Sequence, residues 1–165
     1  MTLRLAKMLL VFGVALFYAF VVFNNTADYD SNYQFVRHVM MMDSTFPGNR
    51  GMWRAINTPA LHTAFYVAII AWEALTMVLC FVGGAKLAGA LRGAADAFHA
   101  AKRVAIIGLT LALLQWLVAF LSVGGEWFLM WQSKNWNGQD AAFRMFAVIG
   151  IVMLFLVQSD REGQP

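Results

Sequence analysis

The chain has 165 residues, of which 61% are hydrophobic and only 13% are charged, whereas an ordinary soluble domain is about 45 to 50% apolar and about 25% charged. The net charge of +3 comes from Lys and Arg residues that are dispersed and never form a basic run, which argues against a nucleic-acid partner. The single cysteine, Cys80, excludes an intramolecular disulfide and a cysteine-based metal cluster.

Four apolar blocks divide the chain, and each is near the roughly 20 residues that cross about 30 Å of hydrocarbon. The first runs from about Met8 to Phe23. Because no small-residue cleavage site follows it, we interpret it as a retained transmembrane helix that begins nearer Leu3, and not as a signal peptide. The others span residues 60–82, 104–123 and about 141–157. We therefore predict one domain, residues 1–165, that is an all-α membrane protein with a bundle of four transmembrane helices.

The positions of Lys and Arg predict the orientation, because cytoplasmic loops carry an excess of these residues. Five lie on the side opposite the termini: Arg37, Arg50, Arg54, Lys134 and Arg144. Seven lie on the side of the termini: Arg4, Lys7, Lys86, Arg92, Lys102, Arg103 and Arg161. The flank of the first helix, which usually dominates, also carries two cations. We expect both termini in the cytoplasm.

The first outer connection, residues 24–58, is longer than structureless loops usually are, so we expect structure within it. Helical spacing predicts a short amphipathic helix on the outer bilayer surface, carried by Tyr29, Tyr33, Val36 and Met40. The segment 46–49 (FPGN) predicts a turn, and Thr58 followed by Pro59 predicts the start of the second transmembrane helix.

The cytoplasmic connection, residues 83–103, also has a helical pattern. We interpret Gly83 and Gly84 as the end of the second transmembrane helix. Beyond them an apolar stripe is flanked by cations, which predicts an interfacial helix held on anionic lipid; the stripe is Leu87, Leu91, Ala95 and Phe98, and the cations are Lys86, Arg92 and Lys102.

Glu73 is the first candidate for a functional role, because it lies about 20 Å into the second transmembrane helix at 1.5 Å per residue. Ionisable groups at such depth are rare, face the bundle interior and need a partner. Candidate partners are Gln115 and Arg144. Two interpretations of Glu73 stay open. In the first it forms a proton site, a substrate site or a contact with a partner subunit; in the second it is a protonated or hydrogen-bonded glutamate that only stabilises helix packing. We predict that it faces the bundle and is largely protonated.

The other candidate polar and aromatic residues lie in the outer connections or beside them: Arg37, His38, Trp53, Glu126 and Trp131. The tryptophans form either an aromatic belt at the membrane interface or a surface where the two connections pack together as a lid or docking site. His38, His62 and His99 lack the i, i+4 spacing of a helical metal face, although a tertiary site on the outer side stays open. No catalytic or cofactor motif is present in the sequence, so we assign no catalytic residue, cofactor or metal.

Seven sequence segments resemble one bacterial family, described as predicted small integral membrane proteins with a domain of unknown function. They are VFNNTADY (22–29), FVRHV (35–39), WRAI (53–56), AWEALT (71–76), GGEWF (124–128), MWQS (130–133) and WNGQ (136–139). The resemblance covers nearly the whole chain. It implies the four-helix topology and a bacterial inner membrane, and it transfers no activity.

Two functional hypotheses follow. The first is a binding or accessory subunit of an inner-membrane assembly, whose outer connections recognise lipid, a protein partner or a second copy of the chain. The second is a small transporter or channel-like protein that uses Glu73 and Gln115. The second requires an oligomer, because four helices are too few to enclose a wide pore.

The predicted orientation is tested with a reporter that is active only in the periplasm. We expect it to be silent when fused after Gln158 and active when inserted near Gly48, because the charge distribution places these sites on opposite sides. The opposite pattern of activity would overturn the topology.

Overall fold

The structure is a computed structural model that describes residues 1–160. Its main elements are α1 (Thr2–Ala27), α2 (Tyr29–Met41), α3 (Pro59–Ala90), α4 (Ala95–Leu114), a π-helical segment (Gln115–Trp127) that continues α4, and α5 (Gln139–Val157). Short 3-10 helices lie at Met52–Arg54 and Met130–Gln132. Four helices are long and apolar enough to cross a membrane: 2–27, 59–90, 95–127 and 139–157. The predicted all-α membrane bundle is confirmed.

The bundle turns most of its apolar surface outward. Only 22 to 33% of the most hydropathic stretch of each spanning helix is buried inside the protein. Large side chains such as Phe143, Ile151 and Leu154 are more than 60% exposed. A soluble protein rarely exposes so large a continuous apolar surface, so this surface faces lipid, and the helices hold together through close packing and polar contacts.

We call the two ends of the bundle the terminal end and the α2 end. The terminal end contains the start of α1, the turn 91–94 and the end of α5; the α2 end contains α2 and the connections 42–58 and 128–138. Near the terminal end α3 and α4 approach closely, and two glycines show how little space is left between them. A Cβ on Gly83 would lie 2.6 Å from Ala105 Cα, and a Cβ on Gly108 would lie 2.9 Å from Cys80 Sγ. The prediction that Gly83 ends the helix is therefore wrong: Gly83 lies within α3, two turns before its end, and permits close contact with α4.

The segment 83–103 differs from the predicted interfacial helix. Residues up to Ala90 continue α3, and α4 begins at Ala95 after a short turn. Leu87 and Phe98 of the predicted stripe are fully buried in the bundle core. The apolar stripe was predicted to contact lipid headgroups, but its residues Leu87 and Phe98 pack between helices. Both α3 and α4 therefore extend further toward the terminal end than the sequence predicted.

An ion cluster closes the terminal end. Lys7 Nζ lies 2.7 Å from Asp160 Oδ1, and Lys102 pairs with Oδ2 of the same carboxylate. Both lysines also donate to the Gln158 carbonyl oxygen at 2.7 Å. Burial by itself would raise the pKa of Asp160, but hydrogen bonds and the charges of Lys102 and Lys7 lower it below its ordinary value. Lys102 was predicted to contact lipid and instead ties α4 to the segment after α5.

The α2 end contains the structure expected in the first connection. A helix spans Tyr29–Met41, and Thr58 precedes α3 with Pro59 in its first turn. Gly48 has φ +76° after Pro47, as the second central residue of a type II turn requires. The placement of α2 on a bilayer surface and the orientation of the chain stay predictions; Arg161, one of the counted cations, lies outside the described residues.

The two connections of the α2 end pack on each other, as the docking interpretation of the sequence required. Ser44 Oγ donates to Ser133 Oγ at 2.7 Å, and the Phe46 amide donates to Gln132 Oε1 at 3.1 Å. Beneath them Met42 and Met130 belong to a small buried apolar cluster separate from the main core. The α2 end is therefore covered by ordered chain.

Substitution of Gly83 by alanine is expected to destabilise the bundle, because the new Cβ meets backbone atoms of Ala105 that cannot move aside. Overpacking of this kind costs about 1 to 3 kcal/mol, so the midpoint of thermal unfolding in detergent should fall by several degrees. Gly89→Ala is the matched control on the same helix, since nothing lies within 4 Å of its added Cβ. Equal midpoints for the two variants would contradict the close contact of α3 with α4.

Candidate functional site

Glu73 faces the bundle interior and is 3% exposed. Gln115 Nε2 donates to Glu73 Oε1 at 2.9 Å, so the predicted contact with Gln115 is present. The second donor is Asn25 Nδ2, at 2.6 Å from Oε2. Arg144, the other predicted partner, lies exposed on α5. One carboxyl group thus connects α1, α3 and the π-helical segment through neutral amides.

Asn25 is the residue of this cluster that sequence reasoning missed. It lies in the last turn of α1, is 7% exposed, and its carbonyl oxygen accepts a hydrogen bond from the Tyr66 hydroxyl at 3.1 Å. Counting along each apolar block placed Asn25 at a membrane surface and Glu73 deep inside. The two depths are not comparable, because Asn25 contacts Glu73 and the first turns of α3, from Pro59, therefore extend beyond the level at which α1 ends.

The π-helical segment positions the third side of the site. Its i→i−5 hydrogen bonding is visible at its end, where the Phe128 amide donates to the Val123 carbonyl at 2.9 Å. The segment has 13 residues, whereas π-helices are rare and are mostly single turns, often at functional sites. It begins at Gln115, and the next residue, Trp116, is also buried. No feature of the sequence predicted this change of helix type.

A cavity of about 260 Å³ lies beside the carboxyl group, and we call it the Glu73 cavity. Its wall includes five residues with polar side-chain groups, namely Asn25, Asn32, Tyr66, Glu73 and Trp116. The remaining wall is apolar and comes from α1, α2, α3, the π-helical segment and the start of α5: Val21, Phe35, Val36, Ile69, Phe120, Gly138 and Ala141. The deepest ionisable group of α3 therefore borders space that a ligand can occupy.

A second cavity, of about 300 Å³, lies next to the first between α2, α3 and the π-helical segment, and we call it the lateral groove. Its wall is almost entirely apolar, and Phe65 and Val118 at its edge are more than 40% exposed on the lipid-facing surface. The two cavities share four wall residues: Phe35, Val36, Ile69 and Phe120. The lateral groove, which opens toward lipid, and the Glu73 cavity are thus adjacent, with these four side chains between them.

The remaining predicted candidates lie at the α2 end and do not contact Glu73. His38 Nδ1 lies 2.6 Å from Asp43 Oδ2, and the His38 ring stacks on Trp136 at 4.6 Å between centroids. Arg37 donates to Gln34 on the same helix. His62, the other histidine on this side, is hydrogen-bonded to the Ile56 carbonyl oxygen at 2.8 Å.

Trp53, Glu126 and Trp131 lie in a second group at the α2 end. Trp53 is 76% exposed and packs edge-on against Trp127 at 5.7 Å. Trp131 contacts Phe46 in the same way, and Arg54 donates to the Glu126 backbone carbonyl at 3.3 Å. These residues cover the outside of the packed connections. Their functional role stays a prediction.

Four apolar helices around a buried polar cluster define an integral membrane protein. The whole described bundle is covered by one family model, over residues 3–159. The chain belongs to the family described as predicted small integral membrane protein (DUF2165). Comparison with curated proteins and with solved structures gave no significant match. The family establishes the class of protein and assigns no biochemical activity.

Proposed function

We propose that the protein is a membrane-embedded binding protein that holds one amphipathic molecule. Its apolar chain lies in the lateral groove and its polar group lies in the Glu73 cavity. The observation that carries this proposal is the adjacency of the two cavities: one layer of shared side chains lies between the lipid-facing apolar groove and the cavity of the one deeply buried carboxyl group of α3. A largely apolar pocket with a few convergent polar groups is the usual form of a small-molecule site.

The geometry supports entry of the ligand from the lipid. The connections at the α2 end are packed on each other through Ser44, Ser133 and Gln132. The lateral groove instead opens on the side of the bundle, between exposed residues of α3 and the π-helical segment. A molecule dissolved in the bilayer therefore reaches the site without displacing the connections. Membrane lipid, one of the predicted partners, supplies molecules of this kind.

We further propose that the site lies in the outer half of a bacterial inner membrane, with both termini in the cytoplasm. Support comes from the excess of Lys and Arg on the side of the termini, seven against five. With that orientation the α2 end and its cavities face the periplasmic leaflet.

The transporter hypothesis shares the Glu73–Gln115 contact with this proposal but has less support from the rest of the bundle. Toward the terminal end the core is filled by Val11, Leu87, Phe98 and Leu109, all fully buried. The ion cluster of Lys7, Lys102 and Asp160 lies beyond them. A path across the membrane would require these groups to separate, whereas binding requires only the cavities that are present.

The binding proposal is tested by photolabelling with a hexadecanol derivative that carries a diazirine near the end of its chain, with the protein in lipid nanodiscs. We expect mass spectrometry to locate the label on residues of the lateral groove, such as Met130 or Phe128. Ala68→Trp should reduce this labelling several-fold, because Ala68 lines the groove and the indole fills it.

The matched control is Ala71→Trp, which adds the same indole to an exposed position of α3 outside both cavities. Labelling of the groove should be unchanged in this variant. Label spread over all lipid-facing residues, or equal labelling of the two variants, would contradict a specific site.

The exposed aromatic surface of the α2 end favours a second candidate role, the accessory subunit. Trp53, Trp127 and Trp131 are all more than 40% exposed, and Arg54 lies over the rings of Trp53 and Trp127. Tryptophan and arginine are the usual anchors of protein interfaces. The partner is either another membrane protein or a second copy of the chain.

The accessory role is tested by purification in several mild detergents. We expect a partner in constant ratio to the chain, or a homo-oligomer, and we expect Trp53→Ala to weaken that association. A chain that elutes as a monomer in every detergent would count heavily against a subunit role and would leave the binding proposal intact.

A further inference from the structure

Glu73 is surrounded by neutral hydrogen-bond donors and has no cation of its own. The ion pairs within residues 1–160 are Lys7 with Asp160, Lys102 with Asp160 and His38 with Asp43, and none involves Glu73. Asn25 and Gln115 each occupy one carboxyl oxygen, and both are uncharged. A carboxylate offers about four acceptor positions, so the group can accept further contacts from a ligand in the cavity.

Aromatic rings make up much of the remaining wall of the Glu73 cavity. Phe35, Tyr66, Trp116 and Phe120 all line it. Trp116 and Phe120 lie 4.8 Å apart between ring centroids, and Phe120 lies 6.5 Å from Phe35, so three of these rings are adjacent. Ring faces attract cations, and cages of aromatic residues recognise quaternary ammonium groups in particular.

We propose that the ligand is a cationic amphiphile, with a tertiary or quaternary ammonium group between the Glu73 carboxylate and the aromatic rings of the cavity and with an apolar chain in the lateral groove. This inference rests on the proposed function, because it names the chemical class of the molecule bound there. Before the cation binds, the cavity holds Glu73 in the protonated form that the sequence predicts; when the cation binds, Glu73 releases its proton to solvent, and the carboxylate and the ligand charge then compensate each other. An alkylammonium group suits the site better than a lysine-like primary amine, since aromatic rings replace water around its methyl groups without leaving donors unpaired.

An uncharged lipid fits the apolar groove equally well but does not use the carboxyl group. A phosphate or carboxylate headgroup would gain no ion pair there, because none of the described residues that line the cavity is a cation, and it would repel Glu73 whenever that group is ionised. Like charges at such short distance in a low-dielectric site are strongly unfavourable. The cavity therefore favours a cationic headgroup over an anionic one, and its aromatic rings favour a headgroup whose nitrogen carries alkyl groups.

The test compares two unlabelled competitors that differ only in charge. One is dodecyltrimethylammonium, and the other is its carbon isostere, in which a tert-butyl group replaces the trimethylammonium group. Both compete with the diazirine hexadecanol in nanodiscs, and both are measured on the original protein and on Glu73→Gln. For each competitor, the concentration for half displacement is compared between the two proteins. Because that competitor partitions into the same lipid in both samples, differences in partitioning between the competitors do not affect the comparison.

We expect Glu73→Gln to raise the concentration of the cation needed for half displacement by about tenfold, and to leave that of the isostere unchanged. Phe120→Leu keeps an apolar wall but removes one ring, and should weaken the cation by about threefold with little effect on the isostere. Thermal unfolding of each variant in the same nanodiscs checks that the bundle is intact.

If the photoprobe labels the groove but the cation competes equally with Glu73→Gln and with the original protein, the cationic ligand is wrong and the proposed function stands. If the photoprobe does not label the groove, the proposed function fails, and direct binding of radiolabelled dodecyltrimethylammonium decides the cation alone. If the original protein binds this cation and Glu73→Gln does not, the result would support a cation site confined to the Glu73 cavity. If the original protein does not bind the cation, or if both proteins bind it equally, the inference is overturned. Should Glu73→Gln not fold, the Phe120→Leu comparison decides in the same way.

Discussion

A polar side chain inside a bilayer has no water to bind, so it must find its partners within the protein. Within the described residues, this constraint brings three helices together at Glu73. Its two oxygens bind an amide from α1 and an amide from the start of the π-helical segment. These hydrogen bonds fix three helices relative to one another at one level of the bundle. The apolar helices themselves gain little from mutual contact, because lipid tails are as apolar as their side chains.

The two ends of the bundle meet this constraint in different ways. At the terminal end, small residues allow α3 and α4 to touch, and Lys7 and Lys102 both pair with the carboxylate of Asp160. The α2 end instead contains the Glu73 cavity and the lateral groove. Close packing and ion pairs hold the helices at the terminal end, and the α2 end provides the room for the proposed ligand. The proposed binding function uses this asymmetry.

The sequence was sufficient for everything that depends on long apolar stretches and on local turn chemistry. Four spanning helices, the start of α3 at Pro59 and the turn at Gly48 all follow from such patterns. The contact between Glu73 and Gln115 was predictable because both are isolated polar residues in apolar blocks. Asn25, Lys102 and Asp160 were missed or misplaced because they lie just outside the apolar blocks, where a polar residue does not stand out, and their partners lie 48 to 153 residues away along the chain. Gly83 was misread because glycine ends helices in water-soluble proteins but allows close contact between helices in membranes.

The π-helical segment has a consequence for how the chain tolerates changes in length. Each π turn closes its hydrogen bond over one residue more than an α turn does. A deletion of one residue within Gln115–Trp127 therefore restores an α-helical turn locally, while the connection that follows and α5 keep their places. Elsewhere in a transmembrane helix the same deletion would rotate every later side chain by about 100° and carry buried groups into the lipid. The π-helical segment can thus absorb a change in chain length without rotating α5 relative to the wall of the Glu73 cavity.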